Sequence, residues 1–168
     1  MLPGWMMDPF SLESIQKVSL KYCDKIQSLP FGNLHTLKHL KIEYCYSIRV
    51  LQLEQLPSQL EELVIYFCDH LESITGLGNL DTLSTLNIYS FKALKSLTMD
   101  GLHFVESTKS LCDSSHEKPH INRHTISSLT MLEIKKCNLL CVLPDAFIPS
   151  GPCYVRVLGC GCPDLKRN

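Results

Sequence analysis

Apolar residues recur along this chain in one fixed grouping: two leucine-type residues with a single residue between them, then a cysteine three positions on. The group stands at Val18-Leu20-Cys23, Leu40-Ile42-Cys45, Leu63-Ile65-Cys68, Leu86-Ile88-Phe91, Leu132-Ile134-Cys137 and Val155-Val157-Cys160. The last slot advances by 22 residues from Cys23 to Cys45, by 23 to Cys68, by 23 to Phe91, by 46 to Cys137 and by 23 to Cys160. A constant period of this size predicts a solenoid, in which no unit can bury its own apolar face and neighbouring units must stack.

Within one unit the inward set is Leu34, Leu37, Leu40, Ile42, Cys45, Ile48 and Leu51, at steps of three except for the two between Leu40 and Ile42. The step of two is strand alternation, which places both side chains on one face. The steps of three are arcs that keep returning an apolar residue to the interior, and they do not follow the 3.6-residue period of a helix. Each such burial contributes roughly 1.5–3 kcal/mol. This motif is that of a leucine-rich repeat. Twenty-three residues per turn leave little length for an outer helix, and Leu29-Pro30, Leu56-Pro57 and Leu143-Pro144 discourage one further. The predicted fold is an α/β-type leucine-rich-repeat solenoid, a horseshoe with short parallel strands on its concave face. Mostly irregular, polyproline-like or short helical segments are expected on the convex face. The chain reads as one domain, 1–168. Regular repeats run over about 12–99 and 126–160, a degenerate repeat or loop insertion over 100–124, and an irregular last unit over 151–168.

The same alternation selects the outward residues. They are Lys17, Ser19 and Lys21; His39, Lys41 and Glu43; Glu62, Val64 and Tyr66; Thr85, Asn87 and Tyr89; Met131, Glu133 and Lys135; and Tyr154, Arg156 and Leu158. Tyr66 and Tyr89 hold equivalent places in adjacent units, which makes them the candidate anchors for a protein partner. Lys41, Glu43, Glu133 and Lys135 form a mixed-charge rim around them. In the remaining slot, Cys23, Cys45, Cys68, Cys137 and Cys160 form a structural ladder. Leucine-rich repeats often place Asn there, and a thiol substitutes as a small buried group and weak donor. Phe91 fills the space without the bond, so its turn is expected to be distorted.

Composition narrows the function. A net charge of −1 gives no basic footprint for nucleic acid. No apolar run reaches the length of a membrane span, and the opening residues lack the pattern of a signal peptide. The expected location is therefore the cytoplasm, with the nucleus as a second compartment. Nine cysteines are an odd count, and five of them share one slot, which argues against a secreted disulfide framework. Cys112, His116, His120 and His124 follow one another at steps of four, the one spacing that resembles metal ligands. Pro119 inside the run and its polar surroundings favour a solvated loop. A metal-binding enzyme using this run is the least favoured reading. No catalytic motif frames the serines or histidines, so the chain reads as a binding module, without enzymatic activity or a cofactor of its own.

Leu-x-Ile-x-x-Cys-x-x-Ile/Leu-x-x-Leu at 40–51, 63–74 and 132–143 closely resembles the carboxy-terminal repeats of plant intracellular nucleotide-binding, leucine-rich-repeat disease-resistance proteins. Leu2-Pro-Gly-Trp5-Met6, Ser28-Leu-Pro30-Phe-Gly32-Asn-Leu34 and Cys162-Pro-Asp-Leu165 strengthen the likeness. The resemblance implies a recognition role in defence, with a pathogen effector, a host guardee or the receptor's own nucleotide-binding domain as partner. In that family the region restrains a switch that exchanges ADP for ATP. No G-x-x-x-x-G-K-[ST] phosphate loop stands in this sequence, so the nucleotide belongs to a domain outside it. The alternative is an F-box-type leucine-rich-repeat substrate-recognition module, whose units run longer and carry helices. Neither end has a polar cap, and Leu2, Trp5, Met6, Met7 and Phe10 look like the remains of a preceding unit. The chain is thus expected to be part of a longer receptor and marginally stable alone.

Overall fold

Each of the six apolar groups becomes a strand. The computed structural model describes residues 14–26, 34–99, 126–140, 143 and 152–161. Its strands are β1 (Lys17–Lys21), β2 (His39–Glu43), β3 (Val50–Gln52), β4 (Glu62–Tyr66), β5 (Ser73–Thr75), β6 (Thr85–Phe91), β7 (Ser96–Leu97), β8 (Met131–Cys137) and β9 (Tyr154–Leu158). They form two parallel sheets, ordered β1-β2-β4-β6-β8-β9 and β3-β5-β7. The molecule is a parallel-strand β-solenoid. Among the described residues its helical content is one short 3₁₀ turn, Leu77–Asn79.

The large sheet pairs in the register that the repeat demands. Val18, Leu40, Leu63, Leu86, Leu132 and Val155 are successive partners, as are Leu20, Ile42, Ile65, Ile88, Ile134 and Val157. From β2 to β8 these residues are essentially inaccessible to solvent and stack into two columns of one continuous core. At β9 the columns end, and Val155 is 49% exposed although its partner Leu132 is buried.

Opposite this sheet the expected irregular wall is partly replaced by strands. After the cysteine slot the threefold arcs bring Leu51, Ile74 and Leu97 back into the core. Stacking at a constant period then sets the backbones around these residues side by side, and Val50, Ser73 and Ser96 pair in parallel. Without that pairing, backbone donors and acceptors at the margin of the core would go unmet. The β5 turn ends at Gly76, whose φ is 75° and whose missing Cβ would lie 2.7 Å from Glu54. No other residue fits there without displacing the neighbouring turn.

A step of three after a strand would leave the next apolar side chain on the wrong face. The chain solves this with a single left-handed residue just before each slot: Tyr22, Tyr44, Phe67, Ser90 and Lys136, with φ between 54° and 63°, and Gly159 at 63°. Side chains bearing a Cβ raise the energy of this conformation by about 1–2 kcal/mol each. The slot residue secures it. Its thiol donates to the carbonyl two residues back, from Cys45 to Glu43 at 3.4 Å, Cys68 to Tyr66 at 3.4 Å and Cys137 to Lys135 at 3.3 Å. The distortion expected at Phe91 does not occur. Ser90 takes the same left-handed turn, the phenyl ring is 1% exposed, and Phe91 pairs in register with Cys137. Burial of a full ring replaces the thiol's bond.

The 46-residue step yields one rung, because β6 pairs directly with β8. One period beyond Leu80, Leu83, Leu86, Ile88 and Phe91 stand His103, Glu106, Lys109, Leu111 and Ser114. Four of these five are polar or charged and do not suit the core column. Residues 100–125, including Cys112, His116, His120 and His124, lie outside the described residues.

The register carries a measurable consequence. Leu63→Ala removes a fully buried column residue and should cost about 2–5 kcal/mol. Val64→Ala, one residue on but facing the open side, should cost only about 1–1.5 kcal/mol. Urea unfolding of both variants tests this, and the reverse order would defeat the register.

Candidate functional site

The outward residues of the six-stranded sheet form three rows across an open face. The middle row is Ser19, Lys41, Val64, Asn87, Glu133 and Arg156, and the row nearest the strand ends is Lys21, Glu43, Tyr66, Tyr89, Lys135 and Leu158. All six candidate partner-binding residues thus share this face. Tyr66 and Tyr89 are direct strand partners, with ring centroids 6.1 Å apart in a T-shaped contact.

The charged rim behaves differently from the simple expectation. Lys41 pairs with Glu43 at 3.1 Å, and Lys135 pairs with Glu133, which also reaches Arg156 at 3.7 Å. These charges largely neutralise one another. Lys41 additionally lies over the Tyr66 ring at 5.6 Å. Val64 points to the open face as its register requires, yet it is only 5% exposed. It lines a shallow cleft of about 250 Å³ together with His39, Lys41, Glu62, Tyr66 and Asn87. Alternation fixes the face a side chain points to, whereas exposure depends on the long neighbours that fold over it.

Three aromatic residues escaped the strand-alternation rule. Tyr22, Tyr44 and Phe67 occupy the left-handed position, where the chain has left the strand. Tyr22 stacks on Tyr44 at 4.9 Å and Tyr44 on Phe67 at 4.8 Å, and Phe67 meets Tyr89 at 5.4 Å. Together with Tyr66 they make a continuous run of five rings across four strands. Ring contacts of this kind contribute about 0.5–1.5 kcal/mol each beyond area burial. Lys21 lies 5.3 Å from the centre of Tyr22, and Lys136 lies 5.3 Å from the centre of Tyr89. The available signal was an aromatic residue immediately before the cysteine in three successive repeats.

Between the Tyr66–Tyr89 pair and Glu133 opens a second cleft of about 310 Å³, lined also by Phe67, Asn87 and Lys135. Asn87 borders both clefts, and its Oδ1 is buried without a hydrogen-bond donor among the described residues. An unmet buried acceptor costs about 1–3 kcal/mol. The open face therefore carries a destabilising group between its two clefts. No group of three or more metal-ligating side chains occurs among the described residues, and none of their helices is long and apolar enough to cross a membrane.

Asn87→Val should raise stability by about 1–2 kcal/mol, because it removes the unmet acceptor and adds a β-branched residue beside Val64. A lower melting temperature for this variant would show that the Asn87 carbonyl is satisfied in the folded protein.

Comparison with family models, with curated proteins and with solved structures returned no match to this chain.

Proposed function

We propose that this chain is the protein-recognition part of a plant intracellular immune receptor, built as an α/β-type leucine-rich-repeat horseshoe whose concave side is the open face. The observation that carries this reading is the run of five aromatic rings, Tyr22, Tyr44, Phe67, Tyr66 and Tyr89, on a face that also carries mutually paired charges. Aromatic rings bury large areas at low entropic cost and dominate protein interfaces, while paired charges around them set orientation. The horseshoe assignment is supported by the 23-residue period, the Leu-x-Ile-x-x-Cys pattern and the thiol that caps every described turn except the one at Phe91. The receptor assignment rests on the sequence resemblance.

In this reading the partner is a protein: a pathogen effector, a host guardee or the receptor's own nucleotide-binding domain. Contact with the last would restrain the ADP-to-ATP switch located elsewhere in the receptor, and displacement by an effector would release it. The chain itself binds no nucleotide and catalyses no reaction, and it works in the cytoplasm or nucleus.

The test is quantitative affinity capture from host tissue, with and without pathogen proteins, using the wild-type chain and a Tyr66→Ala/Tyr89→Ala variant as baits. A genuine partner should be depleted at least about tenfold on the variant, corresponding to about 1.4 kcal/mol. The variant's melting temperature should stay close to that of the wild type. Equal capture by both baits would remove the aromatic run as the binding surface. Saturable ADP or ATP binding by the isolated chain would overturn the placement of the nucleotide outside it.

A further inference from the structure

We propose that Cys137 and Cys160 are a modification site: a stacked dithiol that a peroxide-class oxidant closes to a disulfide, stapling β9 to β8. The two residues hold the same slot on paired strands, two positions beyond the Lys135–Leu158 partners. The Gly161 amide donates to the Cys137 carbonyl at 3.4 Å and keeps the two backbones side by side past the strand ends. One strand spacing, about 4.8 Å, separates equivalent backbone positions. A disulfide spans Cα separations of roughly 4.4–6.8 Å. The Cys160 thiol reaches across to the Ile134 carbonyl of β8 at 3.9 Å, which places its sulfur against the neighbouring strand.

Two features set Cys160 apart from the buried Cys45 and Cys68, and a third sets it apart from Cys23 at the opposite edge. Cys160 is half-buried on the edge strand of the described sheet, where Tyr154, Val155 and Leu158 are about half exposed, whereas Cys45 and Cys68 are sealed in the core. The residue before Cys160 is Gly159, so its turn bears no side chain where Tyr44 and Phe67 stand before Cys45 and Cys68. Hydrogen bonding from the Cys137 thiol and backbone also holds the Cys160 thiol down to about 7, so a large share is thiolate at neutral pH. At the opposite edge, burial and the neighbouring Cys45 push the Cys23 thiol up. The slot has two edge pairs, and only one is set for nucleophilic attack.

The chemistry balances with hydrogen peroxide as oxidant. The Cys160 thiolate attacks one peroxide oxygen, breaks the O–O bond and becomes a sulfenic acid, and the released hydroxide takes a proton to leave as water. The Cys137 sulfur then attacks the Cys160 sulfur and forms the S–S bond. The sulfenic hydroxyl departs with the Cys137 proton as a second water. Two thiols lose two electrons, and the peroxide is reduced to two waters.

The test uses the full chain at pH 7, with a limited pulse of hydrogen peroxide, alkylation of remaining thiols and peptide mass mapping. The expected product is a Cys137–Cys160 linked peptide lighter by two hydrogens, with Cys23, Cys45 and Cys68 still alkylated. Before oxidation, Cys160 should alkylate at least about tenfold faster than Cys45 or Cys68. After oxidation, hydrogen exchange over Tyr154–Leu158 should slow. Cys137→Ser should abolish the link and leave a sulfenic acid at Cys160 that dimedone traps. Should that variant fail to fold, the wild-type map decides alone. Sulfinic acid at Cys160 without a link overturns the proposal, as does pairing of Cys160 with Cys162 or another chain, or no reaction.

Discussion

Every described turn of this solenoid depends on one backbone event, the left-handed residue just before each slot of the large sheet. Strand alternation alone would send the third residue after Ile42 or Ile65 outward. The reversal at Tyr44 or Phe67 returns it to the interior, where Cys45 or Cys68 seals the core. Four bulky side chains, Tyr22, Tyr44, Phe67 and Lys136, adopt a conformation they disfavour. The interactions that offset this are local and repeat with the turn. They comprise a thiol bonded to a backbone carbonyl, an amide such as Tyr44 N–H donating to Tyr66 O at 3.0 Å, and ring stacking from one turn to the next. Phe91 shows that burial alone can stand in for the thiol.

That constraint also shapes the open face. Because the left-handed residue swings out of the strand, Tyr22, Tyr44 and Phe67 gather beside the sheet and join Tyr66 and Tyr89. The geometry that closes the core is thus the geometry that assembles the aromatic run. Scaffold and open face share the same residues, and a substitution at Tyr44 would be felt in both.

The solenoid, its strand register and the two core columns were legible in the sequence, because a period of 23 and a step of two leave little freedom. The second sheet was not, since Val50–Gln52, Ser73–Thr75 and Ser96–Leu97 have no alternation to read and pair only once the units stack. At the face, Tyr66 and Tyr89 followed from alternation. Tyr22, Tyr44 and Phe67 did not, because the rule that locates strand side chains stops where the strand does. The burial of Val64 and the unmet Asn87 carbonyl depend on how Lys41, Tyr66 and Glu133 drape over the sheet, and no single-chain pattern encodes that.

The direct pairing of β6 with β8 separates length from architecture. The described rungs on either side, one reaching Met99 and the other starting at Ile126, hold their register directly on one another. The chain entropy of joining two fixed points grows only logarithmically with the number of residues between them. The register of β6 on β8 therefore prescribes no particular number of residues between them. In a scaffold whose other positions are tied to a strict period, this is the place where sequence can drift, and where a new contact surface can arise without rebuilding the fold.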